Sequence, residues 1–335
     1  MSQNQLPRRK YLSLGRTGAW WVLYLLVLAG TGCHTSAPPR ESWTPKTITL
    51  PDTPLTVPLI LDSYGLAYVD VSINDQGPYR LLVDTGTYGL HLAHDLRALA
   101  DTTRQKHSHV WVENARGHSM KSRYIIQIQT LSMGTTQLVN LNALVQDRES
   151  LVLTHKMPYD GILGIGAFYN HLFMIDFPRR QLILTRGRLE TKRRFVTPAI
   201  NAPRDIPRIR LEVLQVGSAG YACDAVIDTG TNTMHLPERA KSWSLPRQFI
   251  HTATGYDVGG RPYQADKYQV EAEFVLGDTG CRFYDPVLQY SNAEGRVGVN
   301  ILSEMIVILD QRHRRIALVP NAHRDLVEDM IAVDP

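Results

Sequence analysis

Two segments of this chain place an aspartate at the end of an apolar run and follow it with the same three residues. The segments are Asp84-Thr85-Gly86-Thr87 and Asp228-Thr229-Gly230-Thr231. Two carboxyls held close together lose their protons in separate steps, so one stays protonated while the other is ionised. The ionised group can take a proton from water, and the protonated group can donate one to a carbonyl oxygen. The pair therefore predicts hydrolysis of an amide bond by an activated water, with Asp84 and Asp228 as the catalytic residues.

The other motif residues suit a turn that faces its counterpart. The glycine of each motif, Gly86 or Gly230, allows the backbone to turn sharply and to approach the opposite segment closely. The first threonine of each motif can brace the two turns against each other through hydrogen bonds from its hydroxyl to the backbone. The second threonine of each motif can donate to the carboxylate, which stabilises the ionised form.

A second duplicated segment follows each aspartate motif. Residues 161–184 and 295–318 align over 24 positions without a gap, and both keep two glycines, an aspartate, an arginine and a final leucine. Repetition on this scale indicates two copies of one structural unit. The duplicated aspartates, Asp176 and Asp310, precede basic turns, so we expect them to cap turns or form salt bridges.

The coarse pattern is that of an all-β chain. Apolar residues alternate over 67–73 and 209–216, and each run is followed by a turn and a return run that ends at a motif aspartate. Alternation of this kind predicts β-hairpins. A polar tip at 113–121, between two further strand-like runs, predicts a long and mobile hairpin. Helices are predicted only as short segments.

The paired Asp-Thr-Gly-Thr turns, each followed by Gly-Ile-Leu-Gly or Gly-Arg-Val-Gly, resemble the aspartic proteases, both pepsin-like and retropepsin-like. The resemblance covers roughly residues 59–318. It implies an all-β, bilobal, pseudo-twofold acid-protease fold made of two retropepsin-like β-barrel units. It also implies that Asp84 and Asp228 are the catalytic pair of an aspartic endopeptidase that acts on a peptide or protein, with no cofactor and no metal.

Two details of the resemblance bear on activity. Threonine follows each motif glycine, where retroviral members carry alanine, and this favours an acid-shifted optimum. Pepsin-like members carry a tyrosine near the tip of a flap hairpin, for which Trp111 and Tyr124 are candidates here, although packing roles are the alternative for both. A non-catalytic peptide-binding lipoprotein that retains the fold is the second hypothesis, and a processing protease with one target, or its own precursor, is the third.

The N-terminus is typical of an export signal. An arginine-rich start is followed by an apolar stretch over 19–30 and by small residues before Cys33. This end resembles a bacterial lipobox, which implies lipidation of Cys33 and a membrane-anchored periplasmic lipoprotein, whether exported by the general or the twin-arginine route. The predicted organisation is a signal peptide and lipobox at 1–33, a flexible tether at 34–57, protease lobes at 58–190 and 205–320, and a C-terminal helix or tail at 321–335.

Charge and cysteine content bear on the partners of the protein and on its disulfides. The chain has 36 basic and 32 acidic residues, and four of the basic residues lie in the predicted signal peptide, so the remainder is balanced. Without basic runs interleaved with aromatics, the sequence does not predict nucleic-acid binding. Two lobes in one chain predict a monomer. Cys223 and Cys281 can form one disulfide in an oxidising periplasm, or remain two separate buried thiols.

Three further motifs have plainer interpretations. The glycine-rich run at 161–166 lacks the βαβ pattern of a nucleotide site. His91 and His94 lack a third metal ligand, so histidines on a strand face are favoured over zinc ligands. Asp278-Thr279-Gly280, a third copy of the short motif, aligns with a hairpin turn of the first half, and is predicted to be non-catalytic.

Overall fold

The structure is a computed structural model, and it describes residues 43–100, 106–107, 111–113, 119–121, 124–148, 158–200, 205–215, 220–256, 262–291 and 294–332. The predicted signal peptide, including Cys33, lies outside these ranges. Among the residues that the structure describes, no helix has both the length and the apolar character needed to cross a membrane.

Nearly all regular structure in the described residues is β. The first half contains β1 (Thr47–Thr49), β2 (Leu55–Pro58), β3 (Ile60–Leu61), β4 (Ala67–Ile73), β5 (Gln76–Asp84), β6 (Leu90–Ala93), β7 (Lys106–His107), β8 (Trp111–Glu113), β9 (Ser119–Lys121), β10 (Tyr124–Met133), β11 (Thr136–Gln146), β12 (Gly161–Gly164), β13 (Leu172–Asp176) and β14 (Gln181–Thr185). The second half contains β15 (Arg188–Leu189), β16 (Val196–Pro198), β17 (Arg208–Leu214), β18 (Tyr221–Ile227), β19 (Met234–Pro237), β20 (Arg247–Tyr256), β21 (Pro262–Val270), β22 (Glu273–Leu276), β23 (Cys281–Tyr284), β24 (Val287–Ser291), β25 (Gly295–Val297), the one-turn helix α1 (Val299–Leu302), β26 (Met305–Asp310), β27 (Arg315–Pro320) and β28 (Ile331–Ala332).

Each half forms its own nine-stranded sheet, and the two sheets share one central order. In the first sheet the order is β6-β12-β5-β4, and in the second it is β19-β25-β18-β17. The strand that ends at a motif aspartate therefore lies between its hairpin partner and the strand of the glycine-bounded apolar segment, with which it runs parallel. The prediction of an all-β chain with two barrel-like units is confirmed.

Alternating side chains explain why these strands form a core. Along β17, Ile209, Leu211 and Val213 are buried while the residues between them are exposed or half-buried. Strands that end at the aspartates become buried on both faces in their last residues, as in Leu81 and Leu82 of β5. Such strands are covered on two sides, which fixes where the motif turns emerge.

A six-stranded sheet joins the two halves, in the order β16-β27-β26-β13-β14-β2. Its central pair is β13 and β26, which run antiparallel, one from each repeat. The duplicated aspartates end these strands: Asp176 accepts from the Arg179 backbone N–H at 3.0 Å, and Asp310 accepts from that of His313 at 3.1 Å. Asp176 is also paired with the Arg324 guanidinium. Both thus cap turns, and Asp176 also forms a salt bridge, as the sequence predicted.

The predicted tether at 34–57 is wrong over its second part. Residues from 43 onward are described, and β1 pairs with β11 while β2 pairs with β14. Leu55 and Val57 of β2 are each only 5% exposed. Their inward alternation was a strand signal that the proline-rich composition obscured. Residues 34–42 lie outside the described part of the chain.

The segment predicted as a C-terminal helix or tail, 321–335, contains short helical turns and a strand in its described part. Residues 321–332 form two 3₁₀ segments, Asn321–Leu326 and Glu328–Met330, and then β28, which pairs with β15. Met330 is buried by this return. Because a strand at the end of the chain must reach a sheet edge, the preceding segment forms short turns instead of a continuous helix.

Each half also carries a hairpin between its core strands. In the first half β8 pairs with β9, which agrees with the predicted hairpin at 113–121, and residues 114–118 lie outside the described ranges. In the second half β20 and β21 form a longer hairpin whose register shifts between Phe249 and His251. The first hairpin is a separate two-stranded sheet, whereas the second is continuous with the nine-stranded sheet of its half.

Candidate active site

The two motif aspartates stand at equivalent points of the two sheets. Asp84 is the last residue of β5 and pairs in register with Gly164 of β12. Asp228 follows β18 directly, and its backbone N–H donates to the Val297 carbonyl of β25 at 3.0 Å. Both turns therefore emerge at the end of a parallel strand pair. The structure places the two turns next to each other.

Reciprocal hydrogen bonds between the first threonines hold the turns together. The Thr85 hydroxyl donates to the Ile227 carbonyl at 2.5 Å and accepts from the Thr229 backbone N–H at 3.1 Å. The Thr229 hydroxyl donates to the Val83 carbonyl at 2.8 Å and accepts from the Thr85 N–H at 3.1 Å. Both side chains are fully buried. Four bonds in a water-free setting thus fix one half against the other.

The motif glycines bring each carboxyl against the opposite turn. A Cβ added to Gly86 would lie 2.7 Å from Cγ of Asp228, and one added to Gly230 would lie 2.4 Å from Cγ of Asp84. No side chain fits in either place, so only glycine allows this approach. The carboxyl of each half therefore packs on the backbone of the other half, face to face across the pseudo-twofold axis.

The Asp84 carboxyl accepts two hydrogen bonds within its own turn. The Gly86 N–H donates to Oδ1 at 2.7 Å and the Thr87 hydroxyl donates to Oδ2 at 2.7 Å. Burial and the charge of Asp228 raise the pKa of Asp84 to about 7, although the two donors and the more distant Arg296 oppose this rise. Asp84 is thus suited to hold the shared proton.

The Asp228 carboxyl has different partners. The Gly230 N–H donates to Oδ1 at 3.0 Å, as in the first turn, but Oδ2 accepts from the guanidinium of Arg296. The Thr231 hydroxyl, predicted to donate to this carboxylate, lies instead 3.5 Å from the Thr233 carbonyl and 3.4 Å from Nε2 of His235. That prediction is wrong because a stronger, charged donor occupies the oxygen.

Comparison with known proteins agrees with this architecture. A family model described as "Aspartyl protease" matches residues 69–167, from β4 through the segment after β12. The matched range contains the whole first aspartate turn and the glycine-bounded segment that pairs with it. The first half of the chain is therefore similar to the aspartyl proteases over this range. A search of curated proteins gives no match.

Arg296 is the site residue that sequence reasoning missed. It occupies β25, at the position that Ile162 occupies in β12 of the other repeat. Its side chain is 12% exposed, against 5% for that of Asp228. Burial lowers the pKa of Arg296, but the nearby carboxylates, chiefly Asp228, outweigh it and raise that pKa overall. The exchange of isoleucine for arginine within the aligned segments was the signal.

A buried histidine lies beside the glycine-bounded strand of each half, β12 or β25. His91 pairs in register with Ile162, and His235 pairs with Arg296. Burial lowers the pKa of His91 to about 4, so its imidazole is neutral at physiological pH. Nε2 of His235 lies 2.5 Å from the amide nitrogen of Gln289. Among the described residues no three potential ligands cluster as a metal site would need.

The remaining predicted residues lie away from the dyad. Tyr124 packs under the guanidinium of Arg97, at 4.7 Å, and thus has the packing role named as the alternative. The side chain of Trp111 is not described. The third motif, at 278–280, forms the turn between β22 and β23, where Gly280 has a φ of +72°. It is a hairpin turn, as predicted.

The structure has the two cysteines of the second lobe as free, buried thiols. The Cys223 side chain lies against Gly295 of β25, whereas the Cys281 thiol donates to the Leu318 carbonyl of β27 at 3.0 Å. The structure therefore agrees with separate buried thiols and not with a disulfide between Cys223 and Cys281. Burial raises the pKa of both thiols, that of Cys223 to about 11.

The threonine contact between the lobes predicts a large stability effect from a near-isosteric change. Thr229→Val leaves the Val83 carbonyl and the Thr85 N–H buried without partners, so we expect the free energy of unfolding to fall by roughly 2–4 kcal/mol. Chemical denaturation measures the change. Thr231→Val is the matched control, and its effect should stay within about 0.5 kcal/mol. Equal losses in the two variants would contradict this view of the contact.

The raised pKa of Asp84 predicts how stability depends on pH. Its folded-state pKa is about 7 against 3.8 for the free side chain, so the folded protein binds the extra proton in between. This group therefore lowers stability as pH rises from about 4 to 7, by up to about 1.4 kcal/mol per pH unit. Relative to wild type, Asp84→Asn should gain stability over that interval, as measured by urea unfolding at each pH. A constant difference between the two proteins would contradict the shift.

Proposed function

We propose that this chain is an aspartic endopeptidase. The observation that carries the proposal is the pair of buried carboxyls, Asp84 and Asp228, fixed face to face by reciprocal threonine bonds and by glycine contacts that leave no room for a Cβ. Asp84 is 9% exposed and Asp228 is 4% exposed. At this degree of burial the charge of one carboxyl acts strongly on the protonation of the other. The aspartyl protease match over the first lobe supports the same activity.

The reaction follows from the protonation of the pair. One carboxyl is ionised and takes a proton from a water bound between the two, while the other donates its proton to the oxygen of the scissile carbonyl. The product is a tetrahedral diol held by both groups. The carboxyl that took the proton from water then donates it to the departing nitrogen, while a hydroxyl of the diol returns a proton to the other carboxyl. The carbon–nitrogen bond breaks, the diol becomes the carboxylic acid product, and the pair again holds one proton. No covalent adduct and no cofactor takes part in this mechanism.

We further propose an optimum on the acid side of neutrality. The working state needs one proton on the pair, and the pKa of Asp84, raised to about 7 by burial and by Asp228, sets where that proton is lost. Activity should therefore decline as pH rises through about 7. The second threonine of the first motif, Thr87, holds the same carboxyl in place through its 2.7 Å bond.

A second candidate function is peptide binding without turnover. The observation that favours it is the Arg296 guanidinium on Oδ2 of Asp228, because an ion pair weakens a carboxylate as a base. Such a protein would bind a peptide in which a hydroxyl-bearing carbon replaces the scissile carbonyl, yet leave ordinary peptides intact. The two functions are separated by an assay for cleavage.

The function is tested by removing each carboxyl in turn. Asp84→Asn and Asp228→Asn should each lower kcat/KM by roughly a thousandfold or more, since acid and base both act on the same water and carbonyl. Cleavage of a broad peptide library, followed by mass spectrometry from pH 3 to 7.5, measures the effect. Asp278→Asn, in the third motif, is the matched control and should keep full activity. Full activity in either of the first two variants would refute the endopeptidase.

We also propose that the protein is a lipid-anchored periplasmic enzyme, a proposal that rests on the sequence around Cys33. A thioether-linked lipid would hold the folded part near the membrane surface, where it would meet exported peptides or proteins. Two lobes within one chain complete the site, so a monomer suffices.

The anchor predicts a difference in detergent partitioning. In a bacterial host, the wild-type chain should enter the detergent phase of an envelope extract, and Cys33→Ser should enter the aqueous phase or remain a full-length precursor. Mass spectrometry of the mature N-terminus measures cleavage and lipid mass. Cys223→Ser serves as the control for loss of a thiol alone. A wild-type mature N-terminus that carries no lipid mass on Cys33 would overturn the proposal.

A further inference from the structure

The geometry points to Arg296 as the positioning residue that divides the roles of the two aspartates, keeping Asp228 ionised as the base and leaving the shared proton on Asp84 as the acid. This inference rests on the proposed function. It concerns how one residue makes a duplicated pair unequal, and it follows from comparing the two lobes with each other.

The Oδ1 atoms of Asp84 and Asp228 accept hydrogen bonds from equivalent donors, but their Oδ2 atoms accept from different ones. In each turn the motif glycine N–H donates to Oδ1, at 2.7 Å for Asp84 and 3.0 Å for Asp228. Oδ2 of Asp84 accepts from the neutral hydroxyl of Thr87, whereas Oδ2 of Asp228 accepts from a guanidinium. The neutral donor works with either protonation state of its partner, but the cation favours the carboxylate.

The second threonine of the C-terminal motif confirms that the donor has been exchanged. Thr231 is the counterpart of Thr87, and its hydroxyl makes only the contacts to Thr233 and His235 described above. Arg296 is in turn the counterpart of Ile162, an apolar residue with no polar group to offer. The threonine is therefore the same in both lobes but contacts the carboxylate in only one of them, and in the other lobe Arg296 takes its place as the donor to Oδ2.

Burial gives this charge its effect. The Arg296 and Asp228 side chains are 12% and 5% exposed, so solvent screens their attraction little. Asp84 and Glu294 are the other carboxyls that act on Arg296. Glu294 is engaged by Arg208 at 2.5 Å, and His235 faces Arg296 from β19. The Lys267 ammonium of β21 donates to the Thr233 hydroxyl at 2.7 Å.

The consequence is that the two carboxyls have different partners for their charge. The cation in direct contact with Asp228 favours its carboxylate form, whereas burial and the Asp228 charge raise the pKa of Asp84 to about 7, so that the shared proton stays on Asp84. Asp84 then donates to the carbonyl and Asp228 accepts from water. Without the cation, the two carboxyls would differ only in the environment that their duplicated turns provide.

The test is the pH profile of kcat/KM in Arg296→Gln. Removing the cation disfavours ionisation of both carboxyls, so the acid and alkaline limbs should both move to higher pH, by about one pH unit or more. Arg296→Lys keeps the charge and should return both limbs toward the wild-type positions. Arg210→Gln is the matched control, because Arg210 also pairs with a carboxylate, Asp224, but at 3.4 Å on the exposed face of β17. Its profile should stay at the wild-type position.

A lower kcat/KM at every pH, with both limbs in place, would overturn the inference, since a residue that only supports the fold has that effect. So would failure of the lysine variant to move the limbs back. If Arg296→Gln lacks a cooperative thermal transition, Arg296→Met carries the same comparison, because the equivalent position of the first lobe is apolar.

A measurement without turnover separates this inference from the proposed function. NMR titration of the carboxyl carbons in ¹³C-aspartate-labelled protein follows both site groups directly, and Asp84→Asn and Asp228→Asn assign them. In Arg296→Gln the assigned Asp228 signal should titrate at higher pH than in the wild type. If the wild type cleaves no peptide but the Asp228 signal moves in Arg296→Gln, the endopeptidase proposal is refuted and the role of Arg296 stands. If the wild type cleaves peptides but the Asp228 signal does not move in Arg296→Gln, the role of Arg296 is refuted and the endopeptidase proposal stands.

Discussion

The reciprocal bonding of Thr85 and Thr229 is the constraint on which the rest of the site depends. Each hydroxyl both donates to and accepts from the backbone of the opposite lobe, in a region without solvent. Buried backbone groups need such partners, so the two turns can satisfy their hydrogen bonds only in one relative position. That position leaves no space beyond a glycine Cα opposite each carboxyl. The raised pKa of Asp84 is therefore a consequence of how the lobes are joined.

The two repeats build the same set of strands and turns around the site, and the chemical difference between the two aspartates comes from a residue that the repeats do not share. Both repeats supply a hairpin, an aspartate turn, a parallel glycine-bounded strand and a strand of the shared six-stranded sheet. A strictly symmetric pair would leave the choice of acid and base to the substrate. Here the replacement of Ile162 by Arg296 in the second repeat gives one aspartate an ionic partner that the other lacks. The repeated elements therefore bring the two aspartates together, and the difference between Ile162 and Arg296 makes their surroundings unequal.

The sequence was sufficient for features that are local or repeated. The aspartate turns, the hairpins around them and the caps at Asp176 and Asp310 all follow from short patterns whose physical reasons are local. The predicted tether failed because Leu55 and Val57 form a strand only when β14 offers an edge, which composition does not reveal. The role of Arg296 was missed for a similar reason: only the fold shows that its guanidinium, and not the Thr231 hydroxyl, reaches Asp228.

The same ion pair also bears on how such a site can be stable. A singly protonated pair of buried carboxyls has one negative charge, and removing that charge from water is costly unless a partner compensates it. With Arg296 included, the buried group of Asp84, Asp228 and the guanidinium is neutral overall when Asp84 holds the proton. The cation thus lowers the cost of burying the working state while making Asp228 a weaker base. With an apolar residue at position 296, Asp228 would be a stronger base but the buried site would be less stable. The arginine therefore exchanges some basicity of Asp228 for stability of the site.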